Sequence, residues 1–137
     1  MNGSAESEHE LLMASARQAA LNSYSPYSHF CVGAALRLSN GEVVTGTNVE
    51  NVSYGLTICA ERSALVRAVA QFGPQIRVEA VAVANRSNAA SPPCGACRQM
   101  LGEFATPDAT VTFPAPDGGR TMPFRELLPM AFEMWDV

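Results

Sequence analysis

Residues 78–84 constrain the fold more than any other segment, because they are apolar at nearly every position. A strand of this kind is buried on both faces of a sheet that is itself covered on both sides. Residues 59–72 and 95–104 lie on either side of it in the chain and read as helices, the first stopped by Gly73-Pro74. The sequence therefore predicts a central buried strand in an α/β fold.

The chain before these elements reads as a helix followed by a hairpin. Apolar residues recur at helical spacing over residues 8–22, after residues 1–7, which we expect to form a loose tail. An apolar run at 30–38 and a Val- and Thr-rich run at 42–49 flank Asn40-Gly41. Asn-Gly between two such runs is a strong signal for adjacent antiparallel strands.

The last part of the chain reads as a second hairpin. Its strands are residues 109–113 and 120–124, joined through Asp117-Gly118-Gly119. A short helix at 125–128 and the aromatic residues Phe132 and Trp135 follow. Taken together, the order of elements predicts a three-layer αβα sandwich around a mixed five-stranded sheet. The 137 residues fit a single domain, which we place at residues 1–137.

Composition excludes several classes of protein. Lys and Arg number 9 against 13 Asp and Glu, a formal net charge of −4, and this balance argues against a polyanionic partner. The sequence contains no apolar stretch long enough to span a bilayer, and its polar start lacks the pattern of a secretory signal. We therefore expect a cytoplasmic protein with neither a nucleic-acid nor a membrane partner.

Three of the four cysteines stand at the starts of two predicted helices. Cys59 opens the first, and Cys94 and Cys97 open the second. Helix N-termini favour thiolate over thiol, and two such starts side by side can bring three sulfur atoms together. Thiolates select zinc among the common ions, and three protein ligands leave a fourth tetrahedral position for water. The sequence thus predicts one catalytic Zn²⁺ per chain.

Two neighbours of Cys59 fit a role beside that metal. Glu61 is close enough to exchange a proton with a metal-bound water without being a ligand. Arg62 is the natural hydrogen-bond donor to the thiolates, whose combined negative charge would otherwise weaken the acidity of the zinc. Cys-x-Glu followed by Pro-Cys-x-x-Cys is the all-thiolate form of the signature of zinc-dependent deaminases.

Spacing alone leaves other interpretations of the cysteines open. Cys31 would close a structural four-cysteine zinc module, although it lies in a predicted buried strand, where cysteine acts as a small hydrophobe. The Cys94-x-x-Cys97 pair would also suit a redox motif, which needs neither a third cysteine nor Cys-x-Glu. Glu61 considered alone is also compatible with an ordinary structural role, because acidic residues are favoured in the first turn of a helix.

With these residues in view, the sequence resembles the cytidine deaminase family over residues 24–132. The resemblance implies zinc-dependent hydrolysis of cytidine and deoxycytidine to uridine and deoxyuridine, with release of ammonia. It implies that Cys59, Cys94 and Cys97 hold the zinc and that Glu61 shuttles protons. The matching blocks are residues 24–35 (YSPYSHFCVGAA), 46–51 (GTNVEN), 59–62 (CAER), 93–99 (PCGACRQ) and 126–129 (ELLP).

The resemblance also implies how a nucleoside would be held. Asn48 and Glu50 would hydrogen-bond the ribose, Phe30 would pack at the base, and the backbone of Ala60 would contact the pyrimidine. Members of this short-chain group are typically homotetramers whose sites are completed across subunits. The residues expected to reach a neighbour's substrate are Tyr54 and Phe132.

Other cytosine-containing substrates are less compatible with this sequence. Deaminases of DNA or RNA need a basic groove and aromatic platforms, whereas this chain is acidic, is 7% aromatic and has no Lys/Arg cluster. A deaminase of a modified nucleoside such as blasticidin S is the nearest alternative. Because the sugar of that antibiotic is altered, ribose contacts at Asn48 and Glu50 favour plain cytidine.

Overall fold

A computed structural model describes residues 2–133, with side chains from residue 7 onward. Its strands form one five-stranded sheet in the order β2-β1-β3-β4-β5. The β3–β4 pair is parallel and the other three pairs are antiparallel, which confirms the predicted mixed sheet. The strands are β1 (Val32–Leu38), β2 (Val43–Thr47), β3 (Val78–Asn85), β4 (Ala105–Ala115) and β5 (Gly118–Pro123).

Helices cover both faces of this sheet, as the three-layer prediction requires. The helices are α1 (Asn2–Ala20), α2 (Ala60–Phe72) and α3 (Gly95–Gly102), and 3₁₀ turns lie at Tyr54–Leu56 and Phe124–Leu127. One core cluster joins α1 to the sheet, and a second, larger cluster joins α2 and α3 to the opposite face. Among the described residues, no helix combines the length and apolar character needed to cross a membrane.

The central strand β3 explains how closely the layers approach. Its alanines, at positions 80, 82 and 84, face α1, whereas Val81 and Val83 belong to the core beneath α2 and α3. Small side chains allow α1 to lie near the sheet, and Gly33 of β1 continues this contact. A Cβ atom on Gly33 would lie 1.9 Å from the carbonyl oxygen of Ala16. The near-continuous apolar run of β3 is thus buried on both faces, as predicted.

Several boundaries differ from the predictions. Residues 2–7, expected to be a loose tail, are helical, because α1 begins at Asn2. Trp135 lies outside the described residues.

Strand β4 begins at Ala105, four residues before the expected start at Ala109. Ala105 pairs with Val78, and the register then shifts before the ladder resumes at Ala80 and Thr110. This irregularity accommodates Pro107, which lacks the N–H that a regular ladder would use. The longer strand also shortens α3, which ends at Gly102 instead of residue 104.

Gly46 of β2 is a point where helix and sheet leave no room for a side chain. A Cβ atom there would lie 2.3 Å from the backbone nitrogen of Ala64 and 2.6 Å from the carbonyl oxygen of Ala60. Both atoms belong to the first turns of α2, so the glycine sets how closely the start of this helix approaches the sheet.

We expect Gly46→Ala to lower the free energy of unfolding by about 1–3 kcal/mol, because the added methyl group must displace backbone atoms of α2. Urea denaturation followed by circular dichroism measures this loss. Gly55→Ala is the matched control, since a Cβ atom there meets nothing within 4 Å. Equal stability of the two variants would contradict the close packing of α2 on β2.

Candidate metal centre

The starts of α2 and α3 bring three sulfur atoms together. Cys59 is the N-cap of α2, Cys94 is the N-cap of α3, and Cys97 lies in the first turn of α3. All three Sγ atoms lie within 4.8 Å of one another, and those of Cys59 and Cys94 are 3.5 Å apart. Sulfur ligands of one tetrahedral zinc lie about 3.8 Å apart for a Zn–S bond of about 2.3 Å. The donor set therefore fits a single Zn²⁺.

This centre offers three protein ligands, the number found in an open zinc site with one position left for water. Within the described side chains, no fourth His, Cys, Asp or Glu joins the three sulfurs. Cys31, which a structural zinc module would require, instead places its Sγ 3.3 Å from the Oγ of Ser25. Cys97 is buried, whereas Cys59 is partly accessible and Cys94 is exposed, so one side of the sulfur group faces solvent.

Hydrogen bonds within this group stabilise the Cys59 thiolate. The pKa of Cys59 is lowered to about 5 by a hydrogen bond from Cys97 and by further bonds from Arg62 and Cys94. The Nη2 atom of Arg62 lies 3.7 Å from the Cys59 Sγ and 3.3 Å from the carbonyl oxygen of Thr57. The pKa of Cys97 is raised by its hydrogen bond to Cys59 and by burial. Arg62 thus lies where its charge partly offsets that of the thiolates.

Glu61 is buried next to the sulfur group. It is 4% exposed, in the first turn of α2. Burial raises the pKa of this carboxyl, and the neighbouring negative charge of Cys59 raises it further. A carboxyl in this environment can carry a proton nearer to neutral pH than a solvated one, which suits a group that both accepts and donates protons.

A cavity of about 250 Å³ opens in front of the metal centre. It brings together most of the residues that the resemblance assigned to substrate contacts, namely Phe30, Asn48, Glu50, Tyr54 and Ala60, beside Glu61. Tyr54 therefore lines the cavity of its own chain. The remaining lining residues are Ser28, Val32, Thr57, Cys59, Val83, Ser91, Pro92 and Cys94.

Phe132 lies away from this cavity. Its side chain is 75% exposed, and its carbonyl oxygen accepts a hydrogen bond of 3.0 Å from the Nε2 of Gln99. Gln99 follows Cys97 in α3, so the C-terminal segment is tied to the helix that carries two of the sulfurs. The expected contact of Phe132 with a neighbour's substrate concerns another subunit and stays a prediction.

Asn48 and Glu50 follow β2 and point their side chains inward. They are 8% and 3% exposed, whereas Val49 between them is 45% exposed. Isolated bridges from Val49 to Tyr24 and Ile58 keep the segment extended, and this alternation places both polar side chains on the cavity side.

The carboxylate of Glu50 is surrounded by donors from residues 27 and 28. Its Oε1 accepts the backbone N–H groups of Tyr27 at 3.0 Å and Ser28 at 3.1 Å. Its Oε2 accepts the hydroxyl of Ser28. These bonds, led by the Ser28 hydroxyl, lower the pKa of Glu50. Sequence reasoning missed Ser28, although its place in the turn Ser25-Pro26-Tyr27-Ser28 next to Phe30 is a local signal for a side chain that bonds nearby backbone.

Three cysteine sulfurs gather at two helix starts, with one open side and a buried carboxyl group next to them. This arrangement is typical of a zinc-dependent deaminase of the α/β class. Residues 6–113 match the family model for the cytidine and deoxycytidylate deaminase zinc-binding region. The chain belongs to this family.

Individual relatives agree with the family match. The chain is 42% identical over 131 residues to a cytidine deaminase of Halalkalibacterium halodurans, covering 95% of this chain and 98% of that protein. It is 43% identical over 127 residues to one of Mycobacterium tuberculosis, covering 93% and 91%. A crystal structure of cytidine deaminase from Burkholderia pseudomallei superposes with a TM-score of 0.80 at 42% identity, covering 90% of this chain and 98% of that one. The family, the cofactor class and the fold agree with the sequence-based predictions.

We expect Cys31→Ser to retain one zinc per chain, because the Cys31 sulfur lies outside the three-sulfur group. Cys94→Ser is the matched variant, and we expect it to lose most of its zinc, since one of three thiolate ligands is replaced by a poor one. Mass spectrometry of metal content after dialysis checks both. Zinc loss in Cys31→Ser would instead support the structural four-cysteine zinc module.

We expect Arg62→Ala to release zinc at a higher pH than the unsubstituted protein. A cysteine must lose its proton to bind zinc, and Arg62 helps to keep the pKa of Cys59 low. Without the guanidinium this pKa rises. Protons therefore displace the metal at a higher pH than in the unsubstituted protein. A chromogenic chelator records the pH of half-release. Arg67→Ala is the control, since Arg67 lies on the same helix but bonds Thr45; an equal shift in both variants would contradict the role of Arg62.

Proposed function

We propose that this protein hydrolyses cytidine and deoxycytidine to uridine and deoxyuridine with release of ammonia. The observation that carries the proposal is one cavity whose walls hold two of the three clustered sulfurs, the buried Glu61 and the inward pair Asn48 and Glu50. Nearly full-length relatives named cytidine deaminase favour this activity over a blasticidin S deaminase or a structural zinc module. We assign the activity to a single domain.

In this proposal Cys59, Cys94 and Cys97 hold one Zn²⁺. When bound, zinc is a Lewis acid that lowers the pKa of a coordinated water toward about 7. The N-termini of α2 and α3 support the ligands, because each presents the positive end of a helix dipole to a thiolate. Arg62 adds a positive charge on the Cys59 side.

Glu61 is the proposed proton carrier. Its carboxylate takes a proton from the attacking water and delivers it to the ring nitrogen next to C4, which makes C4 more electrophilic. The water oxygen forms a bond to C4, giving a tetrahedral carbon. Glu61 then moves the second water proton to the amino group, the C4–N bond breaks, and ammonia leaves. Water and cytidine are thus converted to uridine and ammonia with atoms and charge balanced.

The hydrogen bonds of Asn48 and Glu50 support binding of a sugar hydroxyl. The Oδ1 of Asn48 accepts from the Ser23 hydroxyl and from the Val32 N–H at 3.0 Å, and its Nδ2 donates to the Phe30 carbonyl at 2.8 Å. One Nδ2 hydrogen therefore stays available as a donor. Oε2 of Glu50, bonded to a single hydroxyl, offers a second acceptor site. One donor beside one acceptor suits a hydroxyl group, which both accepts and donates.

The charges of the cavity favour an unphosphorylated substrate. Its described lining contains two carboxylates, those of Glu50 and Glu61, and neither Lys nor Arg. A nucleotide or a nucleic-acid strand would bring phosphate charge to a site without a cation to pair with it. A free nucleoside avoids this cost, so we propose the nucleoside as substrate and no nucleic-acid partner.

We further propose a cytoplasmic homotetramer in which neighbouring subunits complete the sites. Apolar side chains stand exposed near the cavity mouth at Val52, Tyr54 and Leu56, and Phe132 is exposed elsewhere on the chain. Contiguous exposed apolar groups favour association. Phe132 is proposed to reach a neighbour's substrate, and the exposed Tyr54, which also lines the cavity of its own chain, is proposed to do the same. A reducing compartment such as the cytoplasm keeps three adjacent thiols available for zinc.

The deciding experiment follows the ultraviolet loss of cytidine, deoxycytidine and blasticidin S with the zinc-loaded protein and with Glu61→Gln. We expect turnover of both nucleosides, no comparable turnover of the antibiotic, and a loss of about 10²–10⁴-fold in kcat for Glu61→Gln with its zinc retained. Glu42→Gln in the exposed β1–β2 turn should keep full activity. An inactive zinc-loaded protein would overturn the proposed function, and a fully active Glu61→Gln would overturn the role of Glu61.

A further inference from the structure

Ser28 connects two walls of the cavity through one hydroxyl group. Its Oγ donates to Oε2 of Glu50, and the same oxygen accepts the backbone N–H of Phe30 at 3.0 Å. Glu50 and Phe30 both line the cavity, as does Ser28 itself. Because the Phe30 N–H occupies one lone pair of the hydroxyl oxygen, it fixes that oxygen in place and leaves its proton for Glu50.

The backbone around Ser28 forms a turn that brings this residue to Glu50. His29 has a φ of 58°, in the left-handed region, and its N–H donates to the carbonyl oxygen of Ser25 at 2.9 Å. This turn folds residues 25–30 over the carboxylate, so that the N–H groups of Tyr27 and Ser28 both reach Oε1. A non-glycine residue in this conformation is uncommon and indicates that the surrounding contacts determine the turn.

The two oxygens of Glu50 are therefore held in different ways. Two backbone N–H groups hold Oε1, and side-chain substitutions leave those donors in place. Oε2 is held by the Ser28 hydroxyl, the one bond of this set that a substitution can remove. Without it, Oε1 becomes a pivot about which the carboxylate plane can turn. The hydroxyl also contributes most to the lowered pKa of Glu50, against the effect of burial, which raises it.

We propose that Ser28 is a positioning residue for substrate, whose hydroxyl orients the Glu50 carboxylate so that Oε2 accepts a hydroxyl of the nucleoside sugar. This inference rests on the proposed function, since it concerns the same cavity. Ser28 acts through Glu50 in ground-state binding and takes no part in proton transfer at the base. Its removal therefore weakens binding of a sugar that carries 2′- and 3′-hydroxyl groups and leaves the rate of the chemical step nearly unchanged.

The test compares Ser28→Ala on cytidine and on 2′,3′-dideoxycytidine, which keeps the 5′-hydroxyl but lacks the 2′- and 3′-hydroxyls, one of which is the proposed partner of Glu50. For cytidine we expect KM to rise roughly tenfold with kcat within about threefold, the scale of one hydrogen bond to a charged group. For the dideoxy compound, measured as a substrate or as a competitive inhibitor, we expect a change of less than about twofold. A general disturbance of the fold would weaken both ligands equally.

Three further variants complete the design. Ser28→Thr keeps the hydroxyl and should restore most of the affinity for cytidine. Ser39→Ala, in the distant β1–β2 turn, controls for loss of a serine and should match the unsubstituted protein on both ligands. If Ser28→Ala does not fold, Ser28→Cys gives the same comparison with a weaker donor of similar size. Zinc content and melting temperature are measured for each.

The outcomes separate this inference from the function on which it rests. If the unsubstituted protein does not deaminate cytidine, the proposed function fails. If it does, and Ser28→Ala or Ser28→Cys leaves KM for cytidine unchanged, or weakens cytidine and the dideoxy compound equally, the positioning role of Ser28 is wrong. A loss of affinity confined to cytidine, with kcat preserved and the threonine variant active, supports it.

Discussion

The convergence of two helix N-termini on one point is the constraint on which the rest of this structure depends. Cys59 occupies the N-cap position of α2 and Cys94 that of α3, and both helices pack on the same face of the sheet. Three thiolates within 4.8 Å of one another repel unless a cation and the positive ends of helix dipoles lie close by. The packing beneath supports this arrangement, because Gly46 lets the first turns of α2 lie directly against β2.

The cavity in front of these sulfurs contains two glutamates whose pKa values are shifted in opposite directions. Glu61 is buried beside thiolate charge, which raises its pKa and suits a group that carries a proton. Glu50 is just as enclosed, yet it receives two backbone N–H groups and a hydroxyl, which lower its pKa and suit a permanent acceptor. Hydrogen-bond donors, led by the Ser28 hydroxyl, thus distinguish the carboxyl proposed to bind substrate from the one proposed to exchange protons.

Most of the fold was predictable because its signals are local. Hydrophobic periodicity and turn residues located every strand and long helix, and Asn40-Gly41 identified the first hairpin, with β1 and β2 antiparallel. The errors arose where distant contacts override local preference. The start of β4 at Ala105 depends on pairing with Val78 around a register shift, which no pattern near Pro107 encodes. The helical state of residues 2–7 was likewise missed, because that polar segment lacks the apolar period used to find helices.

The sequence by itself determined the local chemistry: which cysteines stand at helix starts, and which carboxyl group lies two residues from one of them. Those features follow from spacings of two or three residues, over which backbone geometry is nearly fixed. Tertiary structure alone decided how pieces distant in the chain meet. Cys59 reaches Cys94 across 35 residues, and the turn at Ser28 closes over Glu50, because packing on the shared sheet brings them together. The spacing of neighbouring residues does not show which distant parts of the chain will meet in space. The donors around Glu50 were therefore identified only in the folded chain.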